Sequence, residues 1–169
     1  MAKAVKKTVF FDTSFLITLL DSSRANHDNA KKYYKYFIEN EIVMFISVIV
    51  VSEYSQKQPM DGIIATNNFI TPVFNYADAI VSGEFSNILS VEDVQRTDSR
   101  NVAKDDIKLL AQCANNSIDY IATDDISTLA KYTHRLNDLG KLKTQVITMN
   151  AFDMSIFNGG QMTLDIKSE

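Results

Sequence analysis

Asp12, Glu53, Asp106 and the pair Asp124–Asp125 are the carboxylates whose placement could support chemistry. Asp12 closes a short apolar run, KTVFF, and Asp124–Asp125 follow another, IDYIAT. Two like unit charges about 4 Å apart repel by about 4 kcal/mol at an effective dielectric near 20. A group of three or four carboxylates therefore takes up protons or binds a divalent cation. Oxygen-only donors suit Mg²⁺ or Mn²⁺. Such an ion lowers the pKa of a water, orients a phosphodiester and neutralises a leaving oxygen. Other metal chemistry has little support. Cys113 is the sole cysteine, which excludes a cysteine-rich zinc site and an internal disulfide framework. His27 and His134 lie far apart in the chain and form no ligand pair.

For these acids to meet, the elements carrying them must bring strand ends together. Lys7–Phe11 reads as a buried strand, Thr13–Leu20 as a short helix, and Ala25–Asn40 as a helix with Ala30, Tyr33, Tyr34 and Phe37 on one stripe. Ile42–Ser47 reads as a second strand and Val48–Gln58 as a helix stopping before Pro59. A third strand is expected over Ile70–Phe74, weakened by Pro72. Helices are then expected over Ala77–Leu89 and Asn101–Asn115, a strand over Ile118–Thr123, a helix over Asp125–Asn137 and a last strand over Gln145–Thr148. Strands alternating with helices imply an α/β fold with a mostly parallel sheet covered on both faces. In such a sheet, ligands bind outside the carboxyl ends of the strands. Asp12 and Asp125 fall there directly, and the helices carrying Glu53 and Asp106 can lean acids over the same crevice.

Helix phase separates Asp106 from its neighbour. Ala103, Ile107, Leu110, Ala111 and Ala114 share one apolar face, with Asp106 at its edge. Asp105 is expected to point into solvent and to favour the helix start through the macrodipole.

Four segments, in order, resemble the motifs of PIN-domain ribonucleases. VFFDTSFL at Val9–Leu16 is similar to their opening motif, and VVSEY at Val50–Tyr54 to their second. DIKLLAQCA at Asp106–Ala114 resembles the third, and YIATDD at Tyr120–Asp125 the fourth. The set spans nearly the whole chain. The resemblance implies a three-layer α/β/α fold and metal-dependent hydrolysis of RNA, with Asp12, Glu53, Asp106 and Asp125 as catalytic acids. Asp12, Asp106, Asp125 and Asp124 would be the metal ligands, with Mg²⁺ or Mn²⁺ as the cofactor, and the family's Thr-x-Asp pattern selects Asp125 over Asp124. Thr13, Ser14 and Thr123 would hydrogen-bond the carboxylates or their waters. Many small members are VapC-type toxins inhibited by an antitoxin, so the resemblance also implies an antitoxin protein and a homodimer as partners. The nuclease domain is expected over residues 1–150. The tail 151–169, with Phe152, Met154, Ile156 and Phe157, is expected to pack on the domain or on a partner.

Plainer readings exist for each residue alone. Asp12 and Asp124 or Asp125 suit helix caps, Glu53 a solvated helix, and Asp106 dipole compensation; their ordered agreement favours the site. KKYYK at Lys31–Lys35 interleaves basic and aromatic residues, as a nucleic-acid groove does, but reads more simply as a solvated helix with an aromatic core stripe. Arg96, Arg100 and Lys104 read equally as RNA contacts or as an exposed charged loop. Cys113 reads as a buried core residue, and the two histidines as surface residues.

The 169 residues suffice for one domain with a sizeable core, and a net charge of −4 gives no bulk basic character to attract nucleic acid. A bound cation would have to supply it. The apolar stretch Ile42–Val51 is too short for a bilayer span, and MAKAVKKTVFFD has no signal-peptide core, so a cytoplasmic location away from membranes is expected. Two rival functions compete: a non-catalytic PIN-like scaffold binding RNA or protein, and an aspartyl-phosphate phosphotransfer domain. The second wants another Asp two positions after Asp12, where Ser14 stands.

Overall fold

Short runs rich in β-branched and aromatic residues, each bounded by polar ones, form the strands. The computed structural model describes residues 6–60, 63, 66, 68–90 and 100–158, with 100–103 as backbone alone. Its strands are β1 (Thr8–Phe11), β2 (Val43–Ile46), β3 (Phe69–Ile70), β4 (Tyr120–Thr123) and β5 (Gln145–Thr148). They pair in the order β3-β2-β1-β4-β5, and every pairing is parallel. Parallel neighbours need crossovers. The helices supply them: α1 (Thr13–Leu20), α2 (His27–Glu39), α3 (Val48–Ser55), α4 (Tyr76–Ser90), α5 (Arg100–Asn115) and α6 (Leu129–Asp138). A 3₁₀ turn, Met154–Asn158, follows β5.

All four residues of β4 and the last three of β1 are buried. A strand buried on both its alternating faces has a layer on each side, so the fold is a three-layer α/β/α sandwich. Phe11 gathers one layer: its ring lies 4.5 Å from Phe15, 5.8 Å from Phe37 and 5.6 Å from Phe69. Elsewhere α5 packs on both α4 and α6. A buried hydrogen bond from Ser47 Oγ to Gln112 Oε1 (2.6 Å) fastens α5 to the end of β2. Cys113 is buried, and its thiol pKa is pushed up by that burial.

Three helices end in one way. Glu41, Ser117 and Gly140 follow α2, α5 and α6 with φ of 52°, 51° and 67°. In each case the next residue's N–H reaches back five positions: Ile42 to Phe37 O (2.9 Å), Ile118 to Cys113 O (3.0 Å) and Lys141 to Leu136 O (2.9 Å). The left-handed residue itself donates three positions back. This is the Schellman cap, and glycine is its usual residue; two of the three positions here lack it.

Three expectations need correction. The third strand is Phe69–Ile70, not Ile70–Phe74, because Pro72 has no N–H to offer a ladder. The sixth helix starts at Leu129, not Asp125. The Asp125–Thr128 segment bonds its own backbone first, with Asp125 Oδ1 accepting from Ser127 N (2.8 Å) and Thr128 N (3.0 Å). Asp105 does not sit at the start of its helix, which begins at Arg100 and has no acid in its first turn. Among the described residues no helix is long and apolar enough to cross a membrane.

After β5 the chain packs back on the domain. The rings of Phe152 and Phe157 lie 4.9 Å from Tyr33 and 4.5 Å from Tyr36, and Phe157 also meets Tyr120 at 5.0 Å. Residues 159–169 lie outside the described part.

Candidate active site

The strand order reverses direction between β1 and β4, which carry Asp12 and Asp124–Asp125 just beyond their carboxyl ends. Such a switch point leaves a crevice, since the crossovers on either side run to opposite flanks.

Asp12 is the N-cap of α1 and is 5% exposed. Its Oδ2 accepts from Ser14 N (3.2 Å), Ser14 Oγ and Thr123 Oγ1 (2.9 Å). The same two hydroxyls reach across to the next strand end: Ser14 Oγ accepts from Asp124 N (2.8 Å) and Thr123 Oγ1 from Asp125 N (2.9 Å). Two small side chains thus lock the turn after β4 to the start of α1. Burial raises the Asp12 pKa, and the bonds from Ser14 and Thr123 oppose it.

Glu53, half-buried on α3, accepts a hydrogen bond from Thr13 Oγ1. Burial lifts its pKa, with Asp12 and Asp105 adding to the rise against Thr13. Asp106 sits on α5 with 7% exposure, and its Oδ2 has no hydrogen-bond partner. Burial, then the charges of Asp12, Asp125, Glu53 and Asp105, push its pKa to about 8. Asp125 differs. Burial raises it, but Ser127 and Thr128 outweigh that with backbone and hydroxyl donors and hold it below the ordinary value.

Asp12, Glu53, Asp106 and Asp125 therefore share one electrostatic neighbourhood, and Asp105 joins it. The expectation that Asp105 faces solvent is corrected: its side chain is one-third exposed, it pairs with Lys108 at 2.7 Å, and both Glu53 and Asp106 feel its charge. With α5 starting at Arg100, Asp105 lies in the second turn, where it does nothing for the helix terminus. Asp124 is turned elsewhere. Its Oδ2 accepts from Thr18 Oγ1 and its Oδ1 from Asn26 Nδ2, both at 2.7 Å, so it fastens α1 and the start of α2 to the sheet end. The sequence reading missed Thr18 and Asn26; a polar residue inside the apolar run TSFLITLL was the available signal. His27 is half-buried with Nδ1 3.1 Å from Thr18 O, and His134 is exposed. Arg96 and the Arg100 side chain lie outside the described residues, and Lys104 is exposed.

The donor set suits a hard divalent cation. Every candidate donor is a carboxylate oxygen, and Asp106 holds one oxygen, buried and unpartnered, in the field of four other acids. As the side chains stand, no three His, Cys, Asp or Glu among the described residues group tightly enough to hold an ion. Hydrogen bonds already occupy Asp12, Glu53 and Asp125.

No protein-family model matches the chain, and no curated protein matches it by sequence. Solved structures do match in fold. VapBC2 from Rickettsia felis, bound to a DNA fragment from their promoter, aligns with a TM-score of 0.54 and 11% identity over 83% of this chain and 98% of that one. VapC20 of Mycobacterium tuberculosis, a toxin that cleaves the sarcin-ricin loop, aligns at 0.52 and 16% identity over 81% and 98%. DNA-bound VapBC from Salmonella typhimurium aligns at 0.53 and 12% over 86% and 99%. The shared fold is the PIN-like sandwich that the four motifs implied.

Proposed function

We propose that the protein is a divalent-metal-dependent endoribonuclease, and that it acts as the toxin of a toxin–antitoxin pair. One observation carries the catalytic reading: Asp106 keeps an unpartnered buried oxygen among four other acids. Without an ion that environment favours the protonated form of Asp106, and a divalent cation is the partner that would let it ionise. Asp106, Asp12 and Asp125 would hold Mg²⁺ or Mn²⁺, and Glu53 would complete the set or orient the attacking water. The ion, when bound, supplies the positive charge that draws a phosphodiester into an acidic crevice. Ser14 and Thr123 fix Asp12 through its Oδ2, and its Oδ1 would be the oxygen offered to the ion. Thr13 holds Glu53. Asp124 serves as a brace through Thr18 and Asn26. The antitoxin partner is supported by the VapBC neighbours, and an RNA substrate by the toxin that cleaves the sarcin-ricin loop.

The absence of a closed three-carboxylate group among the described residues favours a second reading, a non-catalytic PIN-like scaffold that binds RNA or protein. One experiment separates the two. Structured and unstructured RNAs are incubated with the protein in Mn²⁺, in Mg²⁺ and with a chelator, alongside Asp12→Asn and Asp125→Asn. Metal-dependent cleavage lost in both variants supports the nuclease. No cleavage, with no metal-induced rise in melting temperature, leaves the scaffold.

A further inference from the structure

A cleft of about 530 Å³ opens at the end of the sheet opposite the carboxylates. Residues entering β1, β4 and β5 form its walls, together with the turns that leave α5 and α6. Three lysines converge on it: Lys7, just before β1, and Lys141 and Lys143, ahead of β5. The convergence is fixed by packing. Leu142 is buried at 4% exposure, which leaves both flanking lysines on the outer side. One carboxylate, Asp119, belongs to the cleft and is already engaged. Its Oδ2 accepts from Thr8 N (2.9 Å) and Thr8 Oγ1 (3.0 Å), and its Oδ1 lies 3.6 Å from Lys7 Nζ. Lys141 and Lys143 form no ion pair among the described residues.

The local charge is the reverse of the chain's net −4. The carbonyl ends of α5 and α6 border the cleft, and at about half a charge each they offset about one lysine. Asp119 offsets another, and positive charge remains. The floor is apolar, with Cys113 and Tyr120 buried and Ile156 and Phe157 half-buried. A volume of this order suits a small organic ligand. Lysines bind phosphate as point charges, and a half-buried aromatic ring beside an aliphatic side chain suits a flat base.

We propose that this cleft is a binding site for a phosphorylated mononucleotide. Lys141 and Lys143 hold the phosphate, Lys7 supports it from the other wall, and the base lies against Ile156 and Phe157. The site shares no residue with the carboxylate crevice, so it stands whether or not the nuclease reading does.

Calorimetric titration of the metal-stripped full-length protein tests this, because without an ion the carboxylate crevice repels phosphates. The probes are adenosine and guanosine 5′-monophosphates, their nucleosides, inorganic phosphate and a short RNA oligomer. The mononucleotides are expected to bind with Kd below about 1 mM, and at least about tenfold more tightly than either nucleoside or phosphate alone. Lys141→Glu/Lys143→Glu, at two exposed positions, is expected to lower that affinity at least about tenfold. Lys141→Ala/Lys143→Ala repeats the test with a milder change. Amide-shift mapping is expected to place the ligand beside Tyr120 and Phe157. Absence of mononucleotide binding, equal binding by both double variants, affinity no better than that of phosphate, or binding of the oligomer alone would each overturn the proposal.

Discussion

Replacing Asp106 with Asn should stabilise the metal-free protein, by an amount that grows with pH. The carboxyl group is 7% exposed, and burial, reinforced by Asp12, Asp125, Glu53 and Asp105, raises its pKa from 3.8 to about 8. In the unfolded chain it ionises near its ordinary value, about 4. Between those two values the folded protein holds a proton that the unfolded chain has released, so stability is present at low pH and is lost as pH rises. At pH 7 the unfolded group lies about three pH units above its own pKa while the folded one is still mostly protonated. At about 1.4 kcal/mol for each unit, the native protein gives up about 4 kcal/mol relative to an unperturbed carboxyl. That figure is a ceiling, since side chains turn and water enters when a buried charge forms. An amide never ionises, so the variant escapes this cost. Urea unfolding at several pH values between about 5 and 8, in metal-free buffer, measures the difference. The variant should exceed the native protein by about 2–4 kcal/mol near neutrality, with the gap closing toward the acid end. Saturating Mn²⁺ should narrow the gap by stabilising the native protein alone. Native stability that stays flat or rises across this range would refute the reasoning, as would a variant less stable at the alkaline end.

Other perturbations follow from the same geometry. Ser117→Gly should add about 1 kcal/mol, because a non-glycine residue at φ 51° carries a steric cost that glycine avoids; the urea midpoint should rise with an unchanged slope. Thr13→Val removes the hydroxyl that opposes burial at Glu53, so the Glu53 carboxyl should titrate at higher pH by NMR, and an unmoved titration would show that Thr13 does not restrain it. Phe157→Ala should cost about 2–3 kcal/mol, since the ring meets Tyr33, Tyr36, Phe37 and Tyr120 though only half-buried. Thr18→Val should destabilise by about 1–3 kcal/mol through loss of the Asp124 bond while leaving metal-induced stabilisation intact; loss of the metal response would return Asp124 to the ligand set.

The layered fold was legible because its strands are short apolar runs with clean polar borders. Thr13–Leu20 and Gln145–Thr148 match the expected bounds residue for residue. Misreadings fall where local chemistry overrides periodicity. Pro72 truncates β3, and the Asp125–Thr128 segment spends its backbone donors on a carboxylate before α6 can begin. The Schellman caps after α2 and α5 were invisible because Glu41 and Ser117 occupy positions that ordinarily advertise themselves with glycine. Of the aromatics of KKYYK, Tyr33 is core at 1% exposure and Tyr34 packs half-buried against that core, as the plainer reading had it.

The acids were legible as a set but not as individuals. Sequence position brought Asp12 and Asp125 to adjacent strand ends and laid Asp106 along the edge of an apolar helix face, yet it gave all of them one character. The structure gives them three. Asp125 is saturated with donors and held ionised below its ordinary pKa. Asp12 and Glu53 each carry a hydroxyl partner that offsets part of their burial. Asp106 receives the burial and the repulsion with one oxygen unanswered. A sheet end built for stability alone would distribute its donors evenly, because one unsatisfied buried oxygen costs more than a further bond to an already satisfied one returns. Donors are plentiful nearby, with Ser14, Thr123, Ser127 and Thr128 all committed to Asp12 or Asp125. Their concentration on those two acids, beside a third with one oxygen left bare, supports the proposal that a cation from solution is the partner of that third acid.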